Sequence, residues 1–523
     1  MTITARSVFL AIIALTMFHC SSGPRPLMSM VDAAIDVKVN PHGRSPLGAL
    51  LTFSTKEECQ VEIAVTGAQP LTYLDEDYKL IHELIVTGLY SGQENQIEIT
   101  LADRKGREYV GTLPITTLPL PEFLPTIEIT TLDRSRMEPG LHLFEILIAN
   151  QGKFNPYTIM FDDNGDIRWM MDMSEVEPFS FTPYRLKNGN WLYVSWVELY
   201  ELDDLGQVVR HVRIKEYSGD HDVVELEDGG LIMGASKADT RILRGNQEAI
   251  SRYDFVIELD KDNWQVIREW DLRKVLDVDR AVFPKDFIRD FAADWFHFNS
   301  LALSQADNSL VISGRNQGVL KVDWDNNLKW ILAPHRGWGK AGSHGNGFDT
   351  RDYLLTAVDR DGNPLPSDVQ EGNAGTDDFE WCTGQHGPTI LENGNLVIFD
   401  NGLSRNFGGN PTYSRAVEYQ IDEEKRTIQQ VWQYGKERGL DMFSGITSDV
   451  DILNETGNRL VTAGNIRLGN DPPHAKMIEV SYPDNTVVFE AKINFKDGLG
   501  TKAQEWAQFD VVYRGERYPL RHR

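Results

Sequence analysis

The sequence predicts an all-β protein: a six-bladed β-propeller over residues 126–523, preceded by a small N-terminal β-sandwich over residues 30–120. Three observations predict it. A turn phrase recurs along the second part of the chain, a second phrase follows most of its copies, and short alternating segments fill the first part.

The turn phrase is Leu186-Lys187-Asn188-Gly189-Asn190-Trp191-Leu192. It returns as Leu226-Glu227-Asp228-Gly229-Gly230-Leu231-Ile232, as Leu391-Glu392-Asn393-Gly394-Asn395-Leu396-Val397 and as Asn454-Glu455-Thr456-Gly457-Asn458-Arg459-Leu460. A looser copy spans Ser304 to Ile312, with Asp307-Asn308 at its turn. Asn-Gly and Asp-Gly pairs between apolar alternations are strong hairpin signals, because both central residues must adopt positive φ. The second phrase runs Tyr200-Glu201-Leu202-Asp203, Val256-Ile257-Glu258-Leu259-Asp260, Leu320-Lys321-Val322-Asp323 and Val417-Glu418-Tyr419-Gln420. It leads through a turn into an aromatic-ended strand such as Gln265 to Trp270. Two hairpins make a four-stranded unit, and an opening unit around Asn164-Gly165 brings the number to six. Radial repetition of such units is a propeller. A jelly roll or a β-helix does not require the paired phrases.

From Asp36 to Leu118 the expected strands are Ala49–Ser54, Gln60–Thr66, Leu80–Leu89, Gln96–Ala102 and Tyr109–Thr116. Their period-two alternation reads as a half-buried sheet surface. The proline-rich stretch Thr117 to Pro125 then reads as a stiff connector.

Residues 1–20 carry the targeting signal. Arg6 precedes the apolar run Val8 to Phe18, which is too short to cross a bilayer and suits a secretory signal. Cys20 just after it resembles a lipoprotein processing site, although Met17-Phe18-His19 are larger than the residues such sites prefer. Two readings stay open: a periplasmic protein, or an outer-membrane lipoprotein with a lipid anchor at Cys20. Cys59 and Cys382 are the other cysteines, too few for a disulfide framework and without zinc-site spacing.

The chain has 523 residues, 41% hydrophobic and 25% charged, with a formal net charge of −26. That acidity opposes nucleic-acid binding and docking to anionic lipid. An anionic substrate would need a few cations focused in a pocket. Three histidines stand just before recurring hairpins: His221 in His221-Asp222-Val223-Val224, His297 in Trp295-Phe296-His297-Phe298-Asn299-Ser300, and His386 in Gln385-His386-Gly387-Pro388. Arg315 follows the Asn308 hairpin in the unit that holds His297. A propeller gathers equivalent loops around its axis, so these four residues are expected to meet at one mouth. Imidazoles with one guanidinium suit transfer of an anionic group: one neutral His attacks while the others and the planar Arg fork hold oxygens and move a proton. Two alternatives remain at this point. One is a His-rich metal centre, opposed by the Arg among its ligands; the other is a non-catalytic propeller that binds anionic glycans or protein partners.

The aspartate-rich stretches Asp162 to Asp166 and Asp359 to Asn363 look like calcium-loop fragments but read better as turns. His335, His344 and His474 lie in polar Gly/Pro-rich stretches and read as solvated. No glycine-rich phosphate loop is present, and neither a cofactor nor a metal is expected.

At the histidine stretches the chain resembles the bacterial PAPS-independent aryl-sulfate sulfotransferases. The likeness rests on Gly219-Asp220-His221-Asp222, Asp294 to Ser300, Ser313-Gly314-Arg315, Gln385-His386 and Phe399-Asp400-Asn401-Gly402. Tyr434 to Glu437 and Ser448-Asp449-Val450 extend it. The resemblance implies ping-pong transfer of a sulfuryl group from a phenolic sulfate ester to a phenolic acceptor. It makes His386 the residue that carries the group, and His221, His297 and Arg315 its surroundings. Asn299 joins them as a substrate-binding residue. The resemblance also implies export and a homodimer. Some members have a disulfide near the active site, whereas Cys382 has no cysteine near it in sequence.

Overall fold

A computed structural model describes residues 23–518, apart from 151–152, 177–180, 283–292, 409, 411, 469–470 and 497–508. The expected export signal and Cys20 lie outside the described residues.

The N-terminal part is built on two long strands, Ala49–Val65 and Leu71–Val86, paired antiparallel along their lengths. Ala49–Val65 changes its other partner midway. Its first residues pair with Asp36–Val39 and its last with Glu94–Asp103, which in turn pairs with Glu108–Thr116. The segments expected as Ala49–Ser54 and Gln60–Thr66 are therefore one strand. Exposed Lys56, Glu57 and Glu58 mark a register shift between Ser54 and Cys59, where a polar run reads like a turn. Leu51, Val61, Ile63, Ile97, Ile99 and Leu101 fill the interior.

The rest of the described chain forms six sheets of four or five strands and one two-stranded hairpin, Arg241–Arg244 with Gln247–Ile250. Their inner strands are Val511–Tyr518, Phe181–Arg185, Tyr217–Glu225, Phe298–Ser304, His386–Ile390 and Asp449–Ile452, and each touches the next in a closed cycle. Both ends of the propeller segment seal the ring. Thr126–Leu132 pairs with the outer strand Val487–Asn494 of the sixth blade. Val511–Tyr518 pairs with Leu141–Asn150 as the inner strand of the first. This explains why the first blade has no copy of the turn phrase between its inner strands: those strands come from opposite ends of the propeller segment. Its Asn164-Gly165 turn joins the two outer strands instead.

The phrases recur for a physical reason. Asn190, Asn395 and Asn458 each donate from Nδ2 to a glutamate on the third strand of the same blade, Glu201, Glu418 and Glu479, all at 2.6 Å. The asparagine belongs to the turn phrase, and Glu201 and Glu418 to the second phrase. A buried carboxylate needs donors, so the two phrases recur together. Asp162 and Asp359 accept backbone N–H groups two and four residues ahead, as turn-forming side chains do.

The N-terminal sheet is latched to the first blade by Arg168, which is fully buried. It donates to the Gly88 and Gln69 carbonyls and to Asp162, and stacks on Tyr90. Cys59 and Cys382 are free and buried, one in each part.

Candidate active site

His221, His297 and His386 stand at irregularities in the inner strands. Register shifts fall at Asp220/Val223, Phe298/Ser300 and His386/Thr389, where extra residues bulge toward the axis. His221 and His297 have φ of +50° and +55°. For residues with a Cβ that is a strained conformation, held by the surrounding structure at a cost of about 1 kcal/mol or more. In the fifth blade the left-handed residue is Gly387, at φ +62°, and His386 precedes it. A Cβ at Gly387 would stand 1.9 Å from Asp449 Oδ1, so only glycine fits.

The rings of His221 and His297 are 5.2 Å apart. Tyr253 stands edge-on to both, at 5.8 and 5.3 Å. Tyr513, from the closing strand, lies 5.7 Å from His221 and 6.4 Å from His386. Arg315 shares the cluster: its backbone N–H donates to the His297 carbonyl, and its guanidinium is 3.6 Å from Asp294. His221, His297, Arg315 and His386 thus line one cup.

The three imidazoles have different partners. His297 Nδ1 is 2.9 Å from both oxygens of Asp294. His221 Nδ1 pairs with the buried Asp220 carboxylate. His386 Nδ1 faces neutral acceptors only, the Asn401 Oδ1 at 2.7 Å and the Gly384 carbonyl at 3.0 Å. Burial pushes the His386 pKa well below its ordinary value, against the opposing Asn401 hydrogen bond, and Arg315 and the other two imidazoles push the same way. Burial and Arg315 take His297 down to about 4 despite Asp294. Burial alone would raise Asp294, but His297, Arg315 and His221 hold it below the usual carboxylate range. Burial raises Asp220.

Blade four clamps the backbone on either side of His386. Asn299 donates to the Gln385 carbonyl at 2.6 Å, and Ser300 Oγ accepts from Gly387 N at 3.0 Å. Asn299 also accepts from Ser300 Oγ and is fully buried. Its amide is therefore engaged in holding the loop that carries His386, and substrate contact through it has no support from these bonds. Asp222 accepts from Leu301 N and from Arg514, tying blades three and four to the closing strand.

Sequence reasoning missed Asp220, Asp294, Asn401, Tyr253 and Tyr513. The first two were legible as carboxylates beside or three residues before a histidine. Tyr513 was not, because nothing in the sequence says that the last strand reaches the axis. His474 is buried, with Nδ1 at 2.8 Å from the Pro472 carbonyl, which corrects its reading as solvated. Among the described residues no group of three or more His, Cys, Asp or Glu is arranged to hold a metal ion.

Fold and site together define a β-propeller with three imidazoles and one guanidinium clustered at its inner strands. Residues 126–502 match the arylsulfotransferase (ASST) family and residues 36–118 the arylsulfotransferase Ig-like domain. The chain belongs to the arylsulfotransferase family. It is 30% identical to an arylsulfate sulfotransferase of Escherichia coli O6:H1 over 65% of this chain and 63% of that relative, less than two thirds of the relative's length. It is 24% identical to an arylsulfate sulfotransferase of Lelliottia amnigena over 87% of this chain and 90% of the relative. Among solved structures, the extracellular domain of a one-component system from B. thetaiotaomicron aligns over 90% of this chain and 57% of its own, at 7% identity and a TM-score of 0.32.

Proposed function

We propose that this protein transfers a sulfuryl group from a phenolic sulfate ester to a phenol, without a nucleotide donor, through a sulfurated His386. The observation that supports it most is the contrast of partners: His386 alone among the three imidazoles has no carboxylate at Nδ1. With only neutral acceptors there and a lowered pKa, it stays an uncharged nucleophile at neutral pH.

In the first half-reaction the His386 Nε2 lone pair attacks sulfur. The bond from sulfur to the aryl oxygen breaks, and its electron pair leaves on the phenolate. Arg315 and His221 hold the sulfuryl oxygens, whose charge must be met in a loose transition state of the kind described for phosphoryl transfer. In the second half the acceptor phenol attacks sulfur, the N–S bond breaks, and His386 recovers its lone pair. His297, with its Nδ1–H on Asp294, takes the phenol proton at Nε2 and hands it to the next departing phenolate. Atoms and charge balance over the two halves.

Incubation with a chromogenic aryl sulfate alone should release one burst equivalent of chromophore, and intact-mass measurement should find one added SO₃ group. Turnover should then require phenol. Steady turnover without any mass gain on His386 would replace this scheme with direct transfer. The run Val8–Phe18 and Cys20 support export, with lipidation tested by palmitate labelling, and light scattering tests the homodimer that the family resemblance implies.

A further inference from the structure

Asn401 reads from sequence as part of a turn, but its side chain is fully buried behind His386. Its orientation is fixed chemically. Nδ2 lies 2.7 Å from the Ser444 carbonyl and 2.9 Å from the Thr447 carbonyl. Carbonyl oxygens only accept, so the atom facing them must be the NH₂ group, and the atom 2.7 Å from His386 must be the amide oxygen. The other neighbour of His386 Nδ1 is also a carbonyl, that of Gly384. Two acceptors at one ring nitrogen demand a proton there.

The loop behind Asn401 is itself held. Ser414 Oγ donates to the Asn401 carbonyl, and the Ser444 N–H donates to Ser414 Oγ. Asp400 accepts from Thr383 N and Gly402 N, and takes the Arg405 and Arg415 guanidiniums on its other oxygen. The amide is thus anchored to blades five and six while its oxygen reaches the ring.

We propose that Asn401 is the positioning residue of His386: it fixes the tautomer with the proton on Nδ1 and so presents the Nε2 lone pair to the cup. The inference rests on the reading of His386 as nucleophile, but concerns the resting protein and is measured without substrate. An amide does this without the charge that a carboxylate would bring. A carboxylate in that place would pull toward the charged ring, as Asp294 does at His297 against burial and Arg315, whereas an amide oxygen orients the ring and leaves it neutral.

The test is a nitrogen spectrum of the full chain labelled with ¹⁵N-histidine, at pH 8, with His386→Gln identifying the His386 signals. The wild type should show a protonated Nδ1 and an unprotonated Nε2 at His386. Asn401→Ala should show the two nitrogens converging as tautomers mix. Its kcat should fall about 10²-fold or more, with little change in the KM for donor. Asn401→Asp keeps an acceptor, so the proton should stay on Nδ1, while its charge should draw a second proton onto Nε2 at a higher pH than in the wild type. A protonated Nε2 in the wild type overturns the proposal even if Asn401→Ala fails to fold. So does an unchanged pattern in Asn401→Ala, whatever happens to activity, because Asn401 would then be structural only. Failure of the sulfurated intermediate would show in the mass measurement and leave the spectrum untouched, so the two ideas fail separately.

Discussion

Each blade has two ends, and they are built on opposite rules. At the turn end, blades two, five and six repeat one bond: an asparagine in the turn donates 2.6 Å to a glutamate on the third strand. At the other end, every blade differs. Blade three offers Asp220-His221-Asp222, blade four Asp294 and His297, blade five His386-Gly387, and blade six Thr447-Ser448-Asp449. The difference teaches that repetition carries the fold and departure from repetition carries the site. It also predicts that the two ends fail differently, the cup end in activity and the turn end in stability.

The largest break is at His386. Replacing it with Ala removes the nucleophile, and activity should drop at least about 10⁴-fold. The burst and the SO₃ mass gain should vanish, while the melting temperature moves little. Residual burst in His386→Ala would place the covalent step elsewhere. Next in size is Arg315→Lys. A point charge cannot reproduce two parallel donors on a planar fork, and loss of one aimed donor costs about 10²–10³-fold in kcat. Equal kcat in the lysine variant would mean that Arg315 supplies charge alone.

The third break uses pH. His297 has a folded pKa lowered to about 4, so below its ordinary value the unfolded chain binds a proton that the folded chain refuses. Its contribution to stability therefore falls as pH drops through that window. His297→Gln has no such group. Between pH 7 and pH 5 the wild type should lose about 2 kcal/mol more than the variant in urea denaturation. A parallel loss in both would show that His297 titrates normally and that burial and Arg315 do not suppress its charge.

How much of this was legible follows from the same contrast. The repeated phrases announced the blades because their Asn–Glu bonds are satisfied within one blade, among residues close in sequence. The three histidines were legible as departures standing at a recurring place. Tyr513 was not, since its position depends on the closure of the ring by the last strand. Asn401, between Asp400 and Gly402, has the sequence context of a turn residue: its role depends on the Ser444 and Thr447 carbonyls, which belong to another blade. In the N-terminal sheet, Lys56 to Glu58 looked like a turn because a charged run in the middle of a 17-residue strand breaks the alternation that marks a strand.

The smallest break tests the turn end. Glu418 is buried, and it accepts from Asn395 at 2.6 Å and from Arg459 at 3.3 Å. Asn395→Ala removes the shorter of these two bonds, at a cost of about 1–2 kcal/mol in stability. Asn190→Ala should cost less, because Glu201 keeps a second amide donor, Asn188 at 2.8 Å. Denaturant titration of the two variants gives the ranking directly. Both should retain wild-type kcat, since these bonds lie at the end of the blade away from the cup. Equal losses in the two variants would show that the second donor at Glu201 contributes nothing. A fall in kcat without loss of stability would break the division between the ends, because a bond shared by several blades would then be tuning a site that only three of them furnish with histidine.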